Sequence, residues 1–115
     1  MRKILIIDDD VDVLELVKLI LILNNFDVVT HSTALNVDDV VMNWHPDLIL
    51  LDVRLPQKSG IQVCRELQET HTIPIILFSA HASEQKSYME CGAVAFISKP
   101  FDLKHLLNTI HSHLN

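Results

Sequence analysis

Cysteine is scarce. Cys64 and Cys91 are the only two in 115 residues and have neither CxxC nor another metal-binding spacing, so no disulfide framework is implied and two free buried thiols in a reducing cytosol are expected. Positive charge is scarce as well: 9 lysines and arginines stand against 15 aspartates and glutamates, a net charge of -6. That balance argues against broad contact with nucleic acid phosphates, and no direct nucleic acid binding by this domain is expected. Long apolar runs are missing too. Leu19–Leu23 falls far short of the ~20 residues that span a bilayer. The basic start Met1-Arg2-Lys3 superficially resembles an export signal, but aspartates interrupt the apolar run after Ile7. No membrane association is expected, and the predicted location is cytoplasmic. The four prolines fall at element edges, neither glycine interrupts a strand pattern, and nothing reads as linker, repeat or low-complexity sequence.

What is present is alternation. The chain has the size of one domain, residues 1–115, and 49% hydrophobic residues are enough for one core. Apolar runs at Ile4–Ile7, Phe26–Thr30, Leu48–Leu51, Ile73–Phe78 and Ala93–Ile97 predict strands. Between and after them, amphipathic stretches at Val11–Asn24, Thr33–Trp44, Gly60–Glu69, Ser83–Cys91 and Asp102–Leu114 predict helices. In the last, Leu103, Leu106, Leu107, Ile110 and Leu114 mark a single buried face. Right-handed crossovers turn this pattern into an α/β fold, a doubly wound five-stranded parallel sheet with helices on both faces, a three-layer sandwich.

Polar residues break the apolar plan at matching places. Asp8 and Asp9 follow the first strand, Asp52 the third, Ser79 the fourth and Lys99 the fifth. In the order 2-1-3-4-5 the first and third strands are neighbours at the topological switch point, and ligands of open sheets bind just beyond the strand carboxyl ends. Carboxylates gathered there repel one another unless a cation or proton intervenes, which points to a divalent metal and to chemistry on one aspartate. Asp10 is expected only to cap the first helix. The seven histidines read as scattered surface groups, since His111 and His113 lie on different sides of a terminal helix. Trp44 reads as a core or edge residue.

The segments Lys3-Ile-Leu-Ile-Ile-Asp-Asp-Asp10, Pro46-Asp-Leu-Ile-Leu-Leu-Asp-Val-Arg-Leu-Pro56 with Gly60, Pro74-Ile-Ile-Leu-Phe-Ser-Ala80 and Phe96-Ile-Ser-Lys-Pro-Phe101 together resemble a response-regulator receiver domain of two-component signalling, across the whole chain. The resemblance implies phosphorelay signal transduction. Asp52 would accept a phosphoryl group from a phosphohistidine of a sensor histidine kinase or histidine phosphotransfer protein. The cofactor implied is Mg2+, with Asp9 and Asp52 as direct ligands, Asp8 acting through water, and the backbone carbonyl of Arg54 adding an oxygen. Lys99 would meet a phosphoryl oxygen and, before phosphorylation, pair with Asp52. The Lys99-Pro100 bond is often cis in such domains. Ser79 and Phe96 would form the switch, while Arg54 and His81 would line the rim and set how fast water removes the phosphate.

Leu19, Ile22 and Leu23 continue the polar side of the first helix with apolar groups, and in similar domains this helix docks on the phosphohistidine-bearing bundle. A homodimer would use the fourth helical stretch, fifth strand and fifth helical stretch. Such a chain is not an enzyme in the ordinary sense, but a phosphoacceptor that promotes its own phosphorylation and dephosphorylation. Two other readings stay open: a haloacid-dehalogenase-like phosphatase, against which Arg54 stands where those enzymes place a second aspartate, and a pseudo-receiver that makes protein contacts only.

Overall fold

A computed structural model describes residues 1–80 and 90–114. Strands β1 (Lys3–Ile7), β2 (Asp27–His31), β3 (Leu48–Asp52), β4 (Ile75–Ser79) and β5 (Ala95–Ser98) form one sheet in the order β2-β1-β3-β4-β5, and every pairing is parallel. Four helices are described: α1 (Val11–Leu23), α2 (Val37–Trp44), α3 (Gly60–Gln68) and the C-terminal α4 (Leu103–Ser112). The expected fold and strand order are therefore observed. The stretch expected to be helical at Ser83–Cys91 falls largely outside the described residues, although Glu90 and Cys91 are helical.

Strand alternation divides the core in two. Ile4, Ile6, Leu48, Leu50, Ile76, Phe78 and Ile97 meet Leu14, Val17 and Leu21 of α1 and Leu106 and Ile110 of α4. On the other face, Leu5, Ile7, Ile49, Leu51, Ile75 and Leu77 meet Val37 and Val41 of α2 and Val63, Cys64 and Leu67 of α3. Burying each large aliphatic side chain stabilises the fold by roughly 1.5–3 kcal/mol before conformational entropy is set against it. Strands β3 and β4 are buried at every position, as central parallel strands covered on both faces must be.

The element ends differ from the sequence expectations for local reasons. Residues 33–36 do not join α2, because Thr33 Oγ1 accepts the Leu35 N–H at 3.2 Å, the Ala34 N–H goes to Gln57 Oε1 at 3.0 Å, and Asn36 adopts φ 62°. Phe26 precedes β2 because α1 closes on Asn25 at φ 68° and the Phe26 N–H returns to the Leu21 carbonyl. Strand β4 starts at Ile75, after Pro74, which has no N–H to give the ladder. Strand β5 starts at Ala95, two residues later than the apolar run suggested. Leu103, expected on the buried face of the last helix, is exposed in its first turn, whereas Leu106 and Ile110 are buried. Cys64 and Cys91 are free and buried, with the Cys64 thiol donating to the Cys91 carbonyl at 3.4 Å, and burial pushes the Cys64 thiol well above its ordinary range.

Candidate functional site

The sheet register builds the site from the same columns that build the core. Ile4 and Ile6 alternate on one face of β1, so Asp8, next on that side, extends their column beyond the strand end. Leu48 and Leu50 do the same for Asp52. Ile97 pairs with Phe78 and Phe78 with Asp52, which puts Lys99, two residues past Ile97, over the same edge. Asp8, Asp9 and Asp52 bring carboxylate oxygens within 4.8 Å of one another. Asp9 is exposed, whereas Asp8 is fully buried and Asp52 retains 5% exposure. Asp10 caps α1, its side chain accepting the Asp12 and Val13 N–H groups, as expected of it.

The two buried carboxylates have different partners. Lys99 Nζ lies 2.8 Å from Asp8 Oδ2 and 3.7 Å from Asp52 Oδ1. The tighter ion pair is thus with Asp8 rather than the Asp52 expected from sequence. Asp8 is the fully enclosed carboxylate, so its charge cannot be hydrated and has most to gain from a cation. Its other oxygen accepts the Asp10 N–H at 2.9 Å. Asp52 Oδ1 accepts the Arg54 N–H at 3.3 Å. Burial, then the nearby negative charge of Asp8, push the Asp52 carboxyl up from an ordinary 3.8 to about 7, against the pull of Lys99. A carboxylate held this way gains from any cation that enters beside it.

The opening above these groups is a crevice of about 270 Å³ lined by Asp8, Asp9, Asp10, Asp52, Arg54, Ala80 and Lys99. It has room for a small ion and a tetrahedral oxyanion. Three carboxylates with converging oxygens form an all-oxygen donor set beside the largely buried ammonium side chain of Lys99, which suits a hard divalent metal that keeps several waters. Ser79 ends β4, buried, next to the Asp52–Phe78 pair. Phe96, half-buried, pairs in register with Leu77 and so lies on the same sheet face as Ser79. The Lys99-Pro100 peptide is cis. His81, the second rim residue, lies outside the described residues.

The α1 residues read as a docking patch are open to solvent, with Leu19 56%, Ile22 47% and Leu23 73% exposed. Leu16, 58% exposed, extends the patch, a role its place between Glu15 and the buried Val17 does not announce in sequence. It leads into an apolar crevice of about 380 Å³ lined by Val13, Leu16, Val17, Ala80, Lys99, Pro100 and Phe101. Two other residues were legible only as punctuation and core. A Cβ on Gly60 would lie 2.1 Å from the Asp52 carbonyl oxygen, so this glycine lets α3 start against the strand that carries Asp52. Phe78 faces Lys99, with the ammonium 4.7 Å from its ring centroid.

A family model described as response regulator receiver domain matches residues 4–111. Among solved structures, the BeF3-activated N-terminal receiver domain of Klebsiella pneumoniae RstA is 31% identical with a TM-score of 0.94, covering 99% of each chain. A CheY-like response regulator receiver domain protein from Methanospirillum hungatei is 27% identical with a TM-score of 0.91, covering 97% of this chain and 92% of its own. The response regulator protein TrrA of Thermotoga maritima, solved with Mg2+ and BeF, is 24% identical with a TM-score of 0.92, over 99% of this chain and 100% of its own. At that identity it speaks to the fold alone. No described helix is long and apolar enough to cross a membrane.

Proposed function

The chain belongs to the response regulator receiver domain family, and from that membership we propose that it accepts a phosphoryl group on Asp52 from a phosphohistidine and uses it to switch a protein-interaction surface. The observation that carries this reading is the convergence of Asp8, Asp9 and Asp52 within 4.8 Å beneath the ammonium of Lys99. An Asp52 oxygen attacks phosphorus, the bond from phosphorus to the donor imidazole nitrogen breaks with its electron pair going to that nitrogen, and an acyl phosphate results. Asp52 must be ionised for this, and its raised proton affinity means that a cation in the crevice favours the reactive form. Mg2+ fits the donor set, held by Asp8, Asp9, Asp52 and the backbone carbonyl of Arg54. When bound, it neutralises charge on the transferring phosphoryl oxygens. Lys99 then exchanges Asp8 for a phosphoryl oxygen.

Ser79 donates its hydroxyl to another phosphoryl oxygen, and Phe96, on the same sheet face, repacks as Ser79 moves; phosphorylation shifts a population between two arrangements. Arg54, which lines the crevice, slows the entry of water, and the same role is assigned to His81 from the sequence alone. The partner is a sensor histidine kinase or histidine phosphotransfer protein in the cytoplasm, and β5 with its flanking helical segments is the face for a homodimer. The protein promotes its own phosphorylation and dephosphorylation but turns over no separate substrate.

Incubation with acetyl phosphate and Mg2+, followed by intact-protein mass spectrometry, tests the reading. The parent should gain one phosphoryl group and Asp52→Asn none. Release of inorganic phosphate without a retained adduct would favour a haloacid-dehalogenase-like phosphatase, and no reaction a pseudo-receiver.

The α1 patch supports the site of the phosphodonor. Ile22, central among Leu19, Ile22 and Leu23, is exposed on α1, the helix whose N-terminal end adjoins the acidic crevice, as an apolar anchor for a helical partner should be. Ile22→Glu should slow phosphotransfer from a cognate phosphohistidine protein by about tenfold or more, the scale of one lost interface anchor. Its rate with acetyl phosphate should stay at the parent level. Equal losses with both donors would remove α1 from the docking surface.

A further inference from the structure

We propose that Phe78 is a positioning residue for Lys99, its ring face providing a cation–π seat that holds the ammonium where the phosphoryl oxygens arrive. The inference rests on the phosphoacceptor reading of Asp52 and extends it to a residue that the strand pattern alone would leave in the core.

The geometry is specific. Lys99 Nζ stands 4.7 Å from the Phe78 ring centroid, inside the ~6 Å over which an aromatic face attracts a cation. The ring is 3% exposed and the lysine side chain 21%, so water screens the contact only in part. Phe101 holds the Phe78 ring edge-on, with centroids 6.3 Å apart and planes at 78°, an arrangement aromatic pairs prefer. The register adds a reason for the placement: Phe78 is the cross-strand partner of both Asp52 and Ile97, so it lies between the nucleophile and the strand that delivers Lys99.

The chemistry explains why a ring serves better than another acid. An ammonium has three donors. One is used on Asp8 at 2.8 Å, and Asp52 at 3.7 Å is too far for a hydrogen bond. A third carboxylate would occupy a donor and hold Lys99 back from an incoming oxygen. A ring face attracts the charge while accepting no conventional hydrogen bond, leaving donors for the phosphoryl group. An aliphatic residue at this place would fill the volume without that attraction.

The test separates attraction from packing. Site-specific replacement of Phe78 by phenylalanines carrying one, two and three ring fluorines drains the negative ring face while nearly preserving shape. Phosphorylation by acetyl phosphate at saturating Mg2+ should slow stepwise along that series and by about fivefold in Phe78→Leu, a factor equivalent to about 1 kcal/mol. The Mg2+ concentration giving half-maximal rate should not move. In proton NMR the Lys99 ε-methylene should lie upfield in the parent through the ring current and return to its ordinary position in Phe78→Leu.

A fluorinated series with parent rates, even if Phe78→Leu is slow, would reduce Phe78 to packing and overturn the proposal, as would a Lys99 resonance unchanged in Phe78→Leu. A parent that takes no phosphate at all sinks the phosphoacceptor reading instead, and the Lys99 resonance then decides whether the seat exists.

Discussion

Gly60→Ala should destabilise the protein by about 3 kcal/mol or more, lowering its melting temperature by about 10–20 °C. A methyl group at this position would sit 2.1 Å from the Asp52 carbonyl oxygen and 2.9 Å from both the Asp52 carbonyl carbon and the Val53 Cα. None of these is the far end of a flexible side chain. All belong to the backbone that carries Asp52, and the Gly60 N–H itself donates to the Val53 carbonyl at 2.8 Å, so helix and strand end cannot simply part. Helix propensity alone predicts the opposite sign, since alanine is favoured over glycine by up to about 1 kcal/mol within a helix. The two effects differ enough for a thermal melt of both proteins to separate them. A variant melting at or above the parent temperature would show that α3 does not press on the site strand, and the close approach built around Gly60 would have to be abandoned.

How much of this architecture could be read from the residues depends on what each element has to satisfy. Strands β1 and β3 are covered on both faces, so they must be apolar without interruption, and Ile4–Ile7 and Leu48–Leu51 announce themselves. The aspartates that follow stand out because nothing else in those columns is polar. The edge strands β2 and β5 are buried less completely, and their ends moved by one or two residues. Helix α2 was overextended because hydrogen bonds among Thr33, Leu35, Ala34 and Gln57 compete with the first turn, a tertiary matter that periodicity does not carry. The role of Phe78 was hidden for a related reason: in sequence it is one more large apolar residue in Ile73–Phe78, and only the register reveals that it shares a face with Asp52 and Lys99. The preference of Lys99 for Asp8 over Asp52 depends on which carboxylate is enclosed, and strand position alone does not reveal that.

Asp52 should make the metal-free protein less stable as pH rises, the reverse of most carboxylates. Its carboxyl is pushed up to about 7 in the folded chain, against an ordinary 3.8, chiefly by burial and by Asp8. Between those values the folded state keeps a proton that the unfolded state has lost, so the unfolded state binds fewer protons and stability falls with increasing pH. Below about pH 4 both states are protonated and the penalty is absent; above about pH 7 it levels off at up to about 4 kcal/mol. Asp52→Asn removes this titration. In urea melts without metal, the variant should therefore gain on the parent by about 2–3 kcal/mol between pH 5 and pH 8. Mg2+ competes with the proton for the same oxygens and binds only the folded site, so at ten times its Kd it should stabilise the parent at pH 8 by about 1.4 kcal/mol. It should do much less for Asp52→Asn, which keeps Asp8 and Asp9 but lacks the carboxylate whose ionisation is held back. If the stability gap between the two proteins stays flat across that range, or closes as pH rises, then Asp52 is ionised throughout without cost. The acidic site would then not be holding its nucleophile in reserve for a cation.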